Sequence, residues 1–98
     1  MTSQLRIYRI KPGAMDAFIT LWRDHIVPAR RAHAFTVDGA WVTLPRDEFA
    51  WIVSHESPEG FEAADRAYYA SPERAALPHS PGEYIEEMQL RMMEAVSV

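Results

Sequence analysis

Gln4 to Gly13, QLRIYRIKPG, is the stretch whose reading decides the fold. It alternates, with Leu5, Ile7 and Arg9 on one side and Arg6, Tyr8 and Ile10 on the other, until Pro12-Gly13 stops it. β-Branched and aromatic residues suit a pleated surface, and Pro12 cannot donate to a ladder, so the segment predicts a central strand ending at about Lys11.

From Gly13 onward, Met15, Phe18, Ile19, Trp22, Ile26 and Ala29 recur at spacings of three and four, the stripe of an amphipathic helix over about Ala14 to His33. Pro28 removes a hydrogen bond inside it and predicts a kink or break near Ile26 to Ala29. Phe35 to Leu44 and Glu48 to His55, joined by Pro45-Arg46-Asp47, read as a β-hairpin. The second strand is apolar on both faces, with Phe49, Trp51 and Val53 on one and Ala50 and Ile52 on the other. Both faces need cover, which predicts helices on one side and a second sheet, from a second copy, on the other. Ser57-Pro58-Glu59 starts a helix over about Pro58 to Ala70, and Ser71-Pro72-Glu73 starts a short piece to Ala76. Pro78 and Pro81-Gly82 then impose a loop that is a candidate lid. Tyr84 to Val96 reads best as a last strand, with Met88, Leu90 and Met92 on one face and Glu87, Gln89 and Arg91 on the other. The order β-α-β-β-α-β predicts an α+β, ferredoxin-like sandwich with the first strand between the third and the last. Arg6 and Arg9 are then expected to meet Glu86 and Glu87 across the sheet.

Composition narrows the function classes. The 98 residues read as one domain, 1–98, and a chain this short gains from a partner. A hydrophobic fraction of 48% with three Trp predicts a homodimer. There is no Cys, which excludes disulfide and thiolate chemistry and permits a cytoplasmic setting. No signal core or membrane span is legible. Residues 1–46 carry seven Lys/Arg and three Asp/Glu, and residues 47–98 carry three and eleven, a balance of +4 against −8. Such halves neutralise each other inside one fold, so no nucleic-acid surface is expected.

QLRIYRIKPG followed by a helix containing LWRDHIVP resembles the start of NIPSNAP-like domains. Asp38-Gly39-Ala40-Trp41 is similar to the family's Gly-x-Trp step, and Tyr69 to Arg74 to its second helix and continuation. Ala34 departs from it, standing where the family's turn before the aromatic has glycine. The resemblance implies a dimeric α/β-barrel, in which two ferredoxin-like sheets pack face to face. Relatives in that group include cofactor-independent monooxygenases, haem-degrading monooxygenases and small isomerases, and fold alone does not choose among them.

Among residues that carry chemistry, Arg6 and Tyr8 share a face of the central strand, where a guanidinium and a phenol orient an enol, carboxylate or carbonyl oxygen. The competing reading pairs Arg6 with carboxylates of the last strand and leaves Tyr8 to the core. His25, near the helix stripe, and His55, on the strand face of Trp51, are candidate general bases if they meet between sheet and helices; otherwise they are surface and packing residues. Trp22, Trp41, Trp51 and Phe61, with Met15, are candidate walls for a flat apolar or aromatic ligand, or plain core. No metal-ligand spacing is present. No Gly-rich phosphate loop is present either, so no nucleotide cofactor is expected. Haem would need His25, His55 or His79 as axial ligand. The readings that stand are a small cofactor-independent enzyme using Tyr8, His25 and His55, a non-catalytic ligand-binding or assembly domain, and a haem protein.

Overall fold

The computed structural model describes residues 2–98. Strand β1 (Thr2–Ile10) is followed by α1 (Met15–Leu21), a π-helical turn (Trp22–Ile26) and α2 (Val27–Ala32). The hairpin β2 (Thr36–Val42) and β3 (Glu48–His55) comes next, then α3 (Phe61–Tyr69), α4 (Pro72–Ala75), a 3₁₀ turn (Pro81–Glu83) and β4 (Ile85–Met93). The sheet is antiparallel in the order β2-β3-β1-β4, so β1 lies between the third strand and the last as the order of elements implied.

The residue types explain the local departures from the expected elements. Pro28 has no N–H to give to the carbonyl of Asp24, and the helix absorbs this as a π-turn in which the Val27 N–H bonds back to the Trp22 carbonyl. The expected break is therefore a widened turn within a continuous helical run. α3 begins at Phe61 and not at Pro58, because Gly60 holds φ at +99° and Ser57 caps only a turn, its hydroxyl accepting the Glu59 N–H at 3.2 Å. Ser71 does cap α4, accepting the Arg74 N–H at 3.2 Å. Ala34 takes φ +63°, so the turn before Phe35 keeps the left-handed geometry that glycine would adopt without strain.

The core lies between the helices and one face of the sheet. Cross-strand pairs Arg6↔Trp51, Tyr8↔Phe49 and Gln4↔Val53 all point into it. Phe18 is fully buried and meets Tyr8 and Phe49 edge-on at 5.7 and 5.1 Å between centroids. The other face of the sheet has no helix on it. Leu5, Ile7, Ala50 and Ile52 are half-buried there, and Trp41, 56% exposed, lies over Gly39, where a Cβ would come within 2.8 Å of the indole. Arg9 and Glu87 pair across this face at 2.8 Å, as the charge pattern suggested. Arg6 does not pair with Glu86: the register sets it opposite Leu90, on the other face from Glu87.

Candidate anion-binding site

β1 delivers three polar side chains to the helix-covered face, Gln4, Arg6 and Tyr8, because residues two apart share a face. Arg6 is 2% exposed. Its Nε–H donates to the Tyr8 hydroxyl at 2.6 Å, an Nη1–H to Gln4 Oε1 at 2.7 Å, and an Nη2–H to the Tyr69 hydroxyl at 2.8 Å. A further Nη2 contact reaches Met88 Sδ at 3.9 Å. Every one of these acceptors is neutral. Burial would by itself lower the Arg6 pKa, but Tyr8 and Tyr69, and Asp65 from farther off, outweigh it and hold the guanidinium above its ordinary value. The group is a permanent cation with no carboxylate against it.

A second buried guanidinium, Arg30, stands 5.8 Å from the Trp51 ring, the same distance as the Arg6 Cζ. Arg30 donates to Asp65 Oδ1 at 2.6 Å and stacks over Phe35 and Tyr68 at 4.7 and 4.1 Å. Burial raises the Tyr68 phenol pKa, against the pull of Arg30 and Arg74. The layer thus holds two guanidiniums around one carboxylate. The buried N–H groups of Trp22 Nε1, Trp51 Nε1 and Arg30 Nε have no protein acceptor among the described residues.

The histidines are elsewhere, and they do not meet. His55 Nδ1 accepts the Ser57 N–H at 2.9 Å and its Nε2–H donates to the His33 carbonyl at 2.9 Å. These partners fix the Nε2–H tautomer and occupy the lone pair a base would need. His55 therefore ties β3 to the end of α2, with Phe35 against its ring at 4.5 Å. His25 is exposed on the π-turn, in a surface cavity of about 420 Å³ shared with His79, Leu21 and Tyr84. That cavity is at the other end of β1: Thr2 pairs with His55, whereas Lys11 donates its N–H to the Tyr84 carbonyl at 2.9 Å. The Pro78–Gly82 loop borders this cavity through Pro78 and His79, apart from Arg6. No group of three or more His, Asp or Glu that could hold a metal occurs among the described residues.

The expected aromatic walls also separate. Trp22 and Trp51 pack at 5.6 Å beside Phe49, inside the core. Met15 is buried in that core, and Phe61 lies in the same core against Phe35 at 5.6 Å. Trp41 stands on the uncovered face. Of the residues singled out in the sequence, Arg6, Tyr8 and Trp51 come together. Gln4, Tyr69, Arg30 and Asp65 complete the cluster and were not singled out. Gln4 was legible by alternation with Arg6, and Arg30 by its i+4 spacing from Ile26; Tyr69 carried no such mark.

The sheet order, the two helical crossovers and a polar cluster between sheet and helices define an α+β protein of ferredoxin-like fold. The NIPSNAP family model matches residues 3–98, and the chain belongs to that family. A solved NIPSNAP domain protein from Burkholderia xenovorans superposes with a TM-score of 0.84 at 16% identity, over 99% of this chain and 96% of that one. A NIPSNAP family protein from Agrobacterium tumefaciens gives 0.84 at 18% identity, over 97% and 92%. An antibiotic biosynthesis monooxygenase gives 0.72 at 23% identity, over 99% and 100%. No curated protein matches the chain. Among the described residues no helix is long and apolar enough to cross a membrane.

Proposed function

We propose that this protein is a homodimer that binds a small aromatic or enolisable molecule and holds its anionic oxygen, a carboxylate or an enolate, at Arg6. The observation that carries this is a guanidinium 2% exposed whose contacts are two phenols, an amide and a thioether, with no carboxylate. Burying an unpaired cation is costly, so a site that retains one gains from an anionic ligand. The Tyr8 hydroxyl, which accepts from Arg6, keeps its own proton to donate to the same oxygen. A cofactor-independent reaction of monooxygenase or isomerase type would use this arrangement to stabilise an enolate, with the phenol oxygens of Tyr8 and Tyr69 as the groups in reach of a proton. The half-buried Leu5, Ile7, Ala50 and Ile52 and the exposed Trp41 support a second copy packed on the uncovered face.

The test is calorimetric titration with small aromatic carboxylates and their neutral amides, on the native chain and on Arg6→Met, with the oligomeric state of Ile52→Glu measured by sedimentation. Carboxylates alone should bind, and only with Arg6 present. Equal binding of acid and amide would sink the anion site, and a native monomer would sink the dimer. A second reading, haem binding, draws on His25 and His79 sharing one cavity. It requires a Soret band on haem addition that His25→Ala removes.

A further inference from the structure

Gln4, Arg6 and Tyr8 of β1 pair with Met92, Leu90 and Met88 of β4, so those three apolar residues belong to the helix-covered face. Yet they are 46%, 42% and 45% exposed. The helix layer stops short of them. α3 ends at Tyr69, and Ser71-Pro72 turns the chain into α4, whose Glu73 reaches His33 beyond α2 at 2.6 Å. What remains is an apolar strip, Met88 to Met92, four residue steps or about 13 Å long, with the Arg6 guanidinium beside it.

Two N–H donors end on this strip. An Nη2–H of Arg6 reaches Met88 Sδ at 3.9 Å, and Gln4 Nε2–H reaches Met92 Sδ at 3.6 Å. The Gln4 amide cannot be turned the other way, since its Oε1 must accept from Arg6 Nη1. A thioether is a weak acceptor, and a charged donor gains most from a charged oxygen. The sulfur on Arg6 is therefore the partner most readily displaced. Tyr69, 45% exposed, borders the same Nη2, while Tyr8 and Trp51 close the inner side.

We infer that Arg6 and the Met88-Leu90-Met92 strip form one ligand site, for a monocarboxylate with an unbranched apolar tail. The carboxylate takes the place of the Met88 thioether on Arg6 Nη2, and the tail lies along Leu90 and Met92. This rests only on the reading of Arg6 as an anion holder, replaces the aromatic or enolisable ligand by an unbranched acid, and adds the direction in which it extends. A second charge at the tail's end would lie against Leu90 and Met92 with only the neutral Gln4 amide N–H in reach, so a dicarboxylate gains less there than an apolar tail does.

Calorimetry with butyrate, octanoate, suberate and octylammonium tests it. Half-covered methylenes add roughly twofold each, against roughly fourfold for full burial, so octanoate should bind about 16-fold more tightly than butyrate. Suberate should bind more weakly than octanoate, and octylammonium not at all. Leu90→Gln, at an exposed strand position, should bring the octanoate-to-butyrate ratio toward one; it keeps the test decisive should Arg6→Met fail to fold. Equal, Arg6-dependent binding of butyrate and octanoate would overturn the strip while leaving the anion site standing. No Arg6-dependent binding of any acid would overturn both.

Discussion

Arg6 and Arg30 are 2% and 1% exposed and stand equally far from the Trp51 indole, but their charges are treated differently. Arg30 has Asp65 at 2.6 Å and two aromatic faces within 5 Å. It is neutralised within the fold and joins α2 to α3. Arg6 has only neutral acceptors, two of them, Tyr69 and Met88, nearly half exposed. The contrast teaches that burial alone does not make an arginine structural; what decides is whether the fold supplies the anion. Arg30 reads as a stability element and Arg6 as a recognition element.

The largest effect should come from removing the anion of the satisfied pair. Asp65→Ala leaves Arg30 buried and uncompensated and should cost about 3 kcal/mol in urea unfolding, the low end for a broken buried pair because Asp65 is partly exposed. Arg6→Met should differ sharply. It removes an unpaired charge and leaves phenols that find water or each other, so stability should change by about 1 kcal/mol or less while anion binding is lost. A loss on the scale of Asp65→Ala would erase the distinction between the two arginines.

Ala34→Gly sharpens the Arg30 side. Its φ of +63° sets the turn that brings Phe35 over the Arg30 guanidinium, and glycine adopts it freely. Thermal unfolding should show a gain of about 1 kcal/mol. The smallest effect belongs to Glu73, exposed and bonded to His33, which, with its own backbone N–H, lowers its carboxyl pKa from the usual 4.5. A lowered carboxylate stabilises above its unfolded pKa and loses that contribution as pH falls through the lower folded value. Glu73→Gln should therefore melt slightly below the native chain at pH 6, with the gap closing as pH falls through the folded value, leaving both guanidinium clusters untouched.

How much of this was legible is clearest on β1. Alternation alone assigned Arg6 and Tyr8 to one face and Arg9 to the other, and Arg9 found Glu87 as charge complementarity required. Alternation is a property of the chain, whereas a cross-strand partner depends on register, and the register set Arg6 opposite Leu90 instead of a carboxylate. His25 and His55 were placed on plausible faces, yet distance along β1 separates them and backbone partners occupy His55. Tyr69 reaches Arg6 only because α3 ends where it does, 63 residues away in sequence.

The sequence by itself determined the order of strands and helices, the faces of each strand and the family resemblance, because period, proline and glycine act locally through backbone sterics and hydrogen bonding. Only the tertiary structure decided which buried arginine received the carboxylate and which apolar strand face escaped its helix. Both are set by the packing of segments distant in the chain, and a charge in a low-dielectric layer answers to whatever that packing brings within a few ångströms.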